Sequence, residues 1–180
     1  MTAMTVQVTT GRISAEEFLS HDYPIGSELI DGVVHVNDPG FRHQRICKRI
    51  DLTLTGWADG PQGGGESGQG GNWVLSDGHV YKPDVWWLPT RPEGTRHDGP
   101  PDLAVEVRSP GTWHRDIGRK LDEYGAAGTK ELWLVDTPAA TVLVYRAGGF
   151  DDAIEVGPGG QLTSPLLPGF ALGIDELFAD

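Results

Sequence analysis

Two carboxylates sit in stretches too apolar to hold them alone. Glu106 lies within Asp102-Leu103-Ala104-Val105-Glu106-Val107-Arg108-Ser109-Pro110, a short β-forming run stopped by Ser-Pro. Asp84 follows Pro83 in Val80-Tyr-Lys-Pro-Asp-Val-Trp-Trp-Leu88. A lone carboxylate in a core must take up a proton or find a cation. On neighbouring strands the two would form one negative pocket. Hard cations such as Mg²⁺ or Mn²⁺ take oxygen ligands of this type, and the Val107 backbone carbonyl could supply another. Arg108, two residues after Glu106, would share its face and could pair with the carboxylates or with a phosphate. Lys120 is the better group to activate or orient water, because an ammonium changes its pKa with its environment. Asp116, Lys120 and Tyr124 are four residues apart and share one helix face. Plainer roles exist for each residue. Glu106 could be the structural partner of Arg108 or Lys120, and Asp84 a satisfied strand-end residue. Asp116 with Lys120 could be a surface ion pair, and His43 an exposed histidine.

The elements that must position these residues are legible in outline. Residues 1–12 read as a loose arm with a strand at 6–8. Ser14-Ala15-Glu16-Glu17 fits a capping box opening a short helix to about Leu19. Asp31-Gly32 between two apolar runs predicts a hairpin over 28–36. Ile46, Ile50, Leu54 and Trp57 recur at helical spacing and predict a helix over 41–57. The glycine-rich stretch 60–71 has no basic residue and no GK[ST] ending, so it reads as a loop and not as a phosphate cradle. Strands are predicted at 72–75, at 80–88 as one edge or bulged strand because of Pro83, and at the Glu106 run. The connection 89–101 is polar and turn-rich. A helix over 115–127 stops at Gly128. Strands at 131–136, 141–146, 154–156 and 162–167 and a terminal helix over 174–178 complete the chain. The expectation is an α/β domain, residues 13–180, with one central mixed sheet flanked by helices, an N-terminal helix and hairpin, and a β-rich tail.

Composition narrows the partners. The chain has 180 residues and a net charge of −12, which weighs against a surface that coats itself in nucleic acid. Its cations are bunched, however: Arg42, Arg45, Lys48 and Arg49 form one group, and Arg108, Arg115, Arg119 and Lys120 another. Each group could meet a phosphate backbone or simply form a solvated helix face. The single cysteine, Cys47, excludes an internal disulfide and suits a reducing compartment, so the expected location is the cytoplasm. No run is apolar enough to span a membrane, and no signal-peptide pattern is present.

Pro83-Asp84, then Glu106 before Ser109-Pro110, then Asp116-x-x-x-Lys120-x-x-x-Tyr124, then Glu131-Leu-Trp-Leu-Val-Asp136 together resemble the Uma2 family. These are endonuclease-type proteins of the PD-(D/E)XK, or restriction-endonuclease-like, superfamily. The capped helix with Glu16, Glu17 and Phe18, the Glu28-Leu29-Ile30-Asp31-Gly32 run and the His43-Gln44 helix start extend the likeness over residues 13–146. The resemblance implies a restriction-endonuclease-like sheet, Asp84 and Glu106 as metal ligands for Mg²⁺ or Mn²⁺, and Lys120 as the catalytic lysine. Glu28 would be an additional acid. Arg108 stands where the wider superfamily keeps a lysine. DNA is the implied partner, with Arg42, His43, Arg45, Arg49, Arg108 and Arg115 as candidate contacts, and the implied reaction is metal-assisted phosphodiester hydrolysis. The alternative is a nuclease fold serving as a binding or assembly module without catalysis. An oligomer using Trp86, Trp87 and Trp113 is a third reading, and a homodimer is compatible with any of them.

Overall fold

The computed structural model of this chain describes residues 6–7, 11–37, 39–108, 113–148 and 150–179, with backbone alone at 6–7 and 113–117. Val8, Ser109-Pro110 and the side chains of Trp113, Arg115 and Asp116 lie outside the described residues, as does most of the expected arm. In chain order the elements are β1 (Val6–Gln7), α1 (Ala15–Ser20), β2 (Ser27–Ile30), β3 (Val33–Val36), α2 (Phe41–Ala58), β4 (Glu66–Gly68), β5 (Trp73–Ser76), β6 (His79–Tyr81), β7 (Val85–Leu88), β8 (His97–Asp98) and β9 (Leu103–Val107). After them come α3 (Trp113–Ala127), β10 (Glu131–Asp136), β11 (Thr141–Arg146), β12 (Ile154–Val156), β13 (Gln161–Leu162), β14 (Leu172–Gly173) and α4 (Ile174–Phe178).

Local chemistry accounts for several boundaries. Ser14 Oγ accepts the Glu17 N–H at 3.1 Å and so caps α1. Asp31 and Gly32 both adopt positive φ, at 52° and 73°, which a two-residue hairpin turn between β2 and β3 requires. Gly128, at φ 102°, ends α3.

The central sheet has the order β12-β11-β10-β9-β7-β4. Strands β9 and β10 run parallel, with Glu106 opposite Leu134, and α3 makes the crossover between them. Side chains along β9 alternate. Leu103, Val105 and Val107 pack with Ile46, Cys47, Ile50 and Leu54 of α2, while Ala104 packs with Tyr124, Leu132 and Leu134 on the α3 side. Glu106 shares the Ala104 face. The sheet is therefore a layer between two helices, and the carboxylate faces α3.

A second six-stranded sheet, β1-β3-β2-β6-β5-β8, stands beside the first, and a small ribbon pairs β13 with β14. Phe18 and Ala15 of α1 cover Leu29, Val34 and Val80 of this sheet. The single central sheet expected from sequence is thus two sheets. The expected strand over 80–88 is also two strands, β6 in one sheet and β7 in the other. Pro83 lies at the break, where it offers no N–H to extend a ladder, and its carbonyl accepts the Gly70 N–H at 2.9 Å.

The glycine-rich stretch contains β4, paired antiparallel with β7 through Ser67 opposite Trp87. A Cβ at Gly65 would lie 2.1 Å from the Leu88 carbonyl oxygen, so glycine permits the approach of the two backbones. Residues 89–101 contain β8, and the predicted strand over 162–167 shortens to Gln161–Leu162. Among the described residues no helix is long and apolar enough to cross a membrane.

Candidate active site

The carboxyl end of β9 gathers groups from four elements. Glu106 points at α3, where Lys120 Nζ lies 3.2 Å from both of its carboxylate oxygens and the Tyr124 hydroxyl donates to Oε1 at 2.9 Å. The four-residue spacing of Lys120 and Tyr124 puts both on the helix face that meets the strand. Lys120 also reaches β2, with Nζ 3.1 and 3.2 Å from the two oxygens of Glu28. Glu28 in turn accepts the Lys82 backbone N–H and the Asn37 amide, each at 3.0 Å. The ring of Tyr81 lies beneath the ammonium, 5.2 Å from centroid to Nζ.

Asp84 sits just ahead of β7, which pairs with β9 through Val85 opposite Val105. Its Oδ2 accepts the Val107 N–H at 2.7 Å and faces His43 Nε2 at 3.1 Å. No described residue hydrogen-bonds its Oδ1. His43 Nδ1 lies 3.4 Å from Cys47 Sγ, one turn along α2.

The electrostatics follow from burial and crowding. Burial pushes Glu106 up to about 8, with Lys120 opposing and Asp84 and Glu28 adding to the rise. Burial alone would depress Lys120, but Glu106, Glu28 and Asp84 outweigh it and hold the ammonium charged well above its ordinary range. Burial likewise works against charge on His43, and the hydrogen bond to Asp84 reverses it, so the imidazole is raised. Burial pushes the Cys47 thiol far up. With His43 neutral, the Cys47 thiol donates to Nδ1 and the Nε2–H is directed at Asp84. His43, Cys47 and Asp84 are close enough to share an ion, but sulfur and imidazole donors suit a transition metal rather than Mg²⁺. The oxygen donors Asp84 and Glu106 fit a hard cation better.

A family model described as "Putative restriction endonuclease", Uma2, matches residues 15–175. The chain belongs to the Uma2 family. In fold it is similar to the crystal structure of a "putative nuclease" from Anabaena variabilis, with a TM-score of 0.80 at 22% identity, covering 92% of this chain and 97% of that one. Among curated proteins none matches. The mixed α/β, restriction-endonuclease-like fold expected from sequence is the one observed.

The remaining candidates of this Uma2 chain fall into distinct places. Arg42 and Arg45 are exposed on α2. Arg49 turns inward and donates to the backbone carbonyls of Leu177, at 3.1 Å, and Ala179, holding the C-terminal end of the described chain. Arg108 donates to Asp136 Oδ1 at 2.8 Å, at the end of β10. The second group of cations is therefore largely committed to carboxylates, because Arg119 also pairs with Asp31 and Glu123. His43, read as an exposed residue or a DNA contact, is buried against Asp84.

Sequence reasoning missed Asn37 and Tyr81, which carry no charge signal. It also missed a polar network in which His79 Nε2 lies 3.2 Å from Asp31 and 3.1 Å from Glu123. Asp31 was visible only as a turn residue.

Proposed function

We propose that this protein is a metal-dependent DNA endonuclease that hydrolyses phosphodiester bonds. The observation that carries the reading is the meeting of Asp84, Glu106 and Lys120 at one end of β9, with Lys120 anchored by Glu28. Asp84, Glu106 and the Val107 carbonyl would hold Mg²⁺ or Mn²⁺. A divalent cation there supplies Lewis-acid polarisation of the phosphate and lowers the pKa of a bound water.

The chain's own residues do the rest. Lys120, kept charged and aimed by two carboxylates, orients water or stabilises charge developing on phosphate. Glu28, with both oxygens engaged, serves as the anchor of that lysine. Tyr124 fixes the Glu106 rotamer, and His43 with the Val107 N–H fixes that of Asp84, so that Oδ1 stays presented. Arg42 and Arg45 position the backbone of DNA without reading its sequence. The lone thiol, Cys47, fits action in the reducing cytoplasm.

The test is cleavage of plasmid and oligonucleotide DNA with Mg²⁺ or Mn²⁺. Asp84→Asn and Glu106→Gln each abolish cleavage while circular dichroism shows a folded protein. Cutting at the wild-type rate by both variants refutes the assignment. Metal-independent DNA binding by a wild type that never cuts supports the non-catalytic binding module.

A further inference from the structure

The solvent face of α2 carries an arrangement of which the nuclease reading uses only Arg45. Phe41, Arg45, Lys48 and Leu52 follow one another at steps of four, three and four residues, which align them along one side of the helix. All four are exposed, Phe41 to 94% and Leu52 to 60%. Arg45, Lys48 and Leu52 line an open groove with Gln44, Asp51 and Gln69. Asp51 is engaged by Ser67 and Gln69. Among the described residues neither Arg42, Arg45 nor Lys48 has an ion-pair partner, in a chain of net charge −12.

The stripe spans about 16 Å along the helix and lies on the face opposite His43, whose bond to Asp84 puts only the buried side of the helix start at the active site. A second bare apolar side chain, Ile25, is 99% exposed. It precedes Gly26, whose carbonyl accepts the Asn37 N–H at 3.3 Å. Asn37 is itself a partner of Glu28. The two most exposed large apolar residues thus come from segments adjoining the carboxylate cluster.

An exposed aromatic followed by uncommitted cations along a groove suits a nucleic-acid strand with unpaired bases. The cations track phosphates, and the ring accepts the face of a base. Inside a duplex each base face is covered by its neighbours, so stacking on Phe41 requires a base that is unpaired, terminal or extruded. A second copy of this chain fits less well, because a two-fold contact through this face would set the same cations against one another.

We propose that the outer stripe of α2 binds a DNA strand with unpaired bases, Phe41 stacking on a base while Arg45 and Lys48 hold the backbone. The substrate class is then single-stranded, gapped or frayed DNA. This rests on the nuclease reading for DNA as the ligand, but its test is a binding measurement that needs no turnover.

The experiment measures fluorescence anisotropy of a labelled 12-nucleotide strand and of the matching duplex in Ca²⁺ buffer. Phe41→Ala is expected to weaken single-strand binding about tenfold and duplex binding less than twofold. Phe41→Trp retains single-strand affinity and Phe41→Leu does not. The double variant Arg45→Gln/Lys48→Gln lowers the slope of log affinity against log salt by about 1.4, whereas Phe41→Ala leaves that slope unchanged.

Single-strand affinity unchanged by Phe41→Ala overturns the proposal even where the wild type cuts DNA. So does a wild-type dimer in sedimentation that Phe41→Ala dissociates, which would mark the stripe as a self-contact. A wild type that cuts no DNA but binds single strands through Phe41 refutes the nuclease reading and leaves the stacking surface standing.

Discussion

Replacing Lys120 by methionine tests the centre of the site, because it keeps the volume and removes the charge. The ammonium lies 3.1–3.2 Å from four carboxylate oxygens. Its side chain is 12% exposed, against 3% for Glu28 and 14% for Glu106. Solvent therefore does little to screen the charges left behind. Breaking a buried ion pair costs about 3–5 kcal/mol, and each kcal/mol is worth about 2–4 °C in a domain of this size. The expected fall in Tm at pH 8, without divalent metal, is about 6–20 °C.

The pH dependence has a definite sign. A carboxyl group whose folded pKa is raised gives stability that is full below its unfolded pKa and is lost as pH rises through the folded one. Glu106 is already raised to about 8 with Lys120 present, and removing the cation raises it further. From pH 5 to about 7 both folded proteins keep Glu106 protonated, so the deficit should be flat there and grow above pH 8, where only the wild type ionises the group. Adding Glu28→Gln to Lys120→Met should recover much of the loss, since one of the unpaired charges is gone. Thermal melts followed by circular dichroism from pH 5 to 10 read all three effects. A Lys120→Met protein melting within about 2 °C of wild type at pH 8, or a deficit that does not grow above pH 8, refutes the coupled-carboxylate account.

Two further outcomes follow from the same geometry. Because burial pushes Glu106 up to about 8, a metal must displace its proton at neutral pH. Mg²⁺ or Mn²⁺ affinity should rise about tenfold per pH unit below that value, with proton release visible by calorimetry in buffers of different ionisation enthalpy; affinity flat from pH 6 to 9 counts against Glu106 as a ligand. Arg49→Ala removes the donor to the Leu177 and Ala179 carbonyls and should cost about 1–3 kcal/mol in urea unfolding. It should leave the salt dependence of DNA binding untouched, and a flattened dependence would restore Arg49 as a phosphate contact.

Most secondary structure was legible wherever local chemistry repeats a simple rule. The Ser14 cap, the Asp31-Gly32 turn and the stripe from Ile46 to Leu54 each obey geometry set within a few residues. The errors arose where a long-range partner decides. Residues 80–88 look like one strand because both halves are apolar, and only the competing sheets show that Pro83 divides them. The glycines of 60–71 look unstructured because strand β4 is identified by its pairing to β7 and not by its own side chains.

By itself the sequence determined the family pattern, the alternating β9 with its misplaced carboxylate, and the helix register that sets Lys120 above Tyr124. Periodicity and residue chemistry are local properties, so they survive without coordinates. The tertiary structure alone decided which cations remain available. Arg49, Arg108 and Arg119 are spent on carbonyls and carboxylates from distant segments, whereas Arg42, Arg45 and Lys48 face solvent beside Phe41. It also decided that Lys120 joins Glu28, 92 residues earlier in the chain, to Glu106, 14 residues earlier. No spacing rule encodes that meeting, because it depends on how two sheets and a crossover helix pack together.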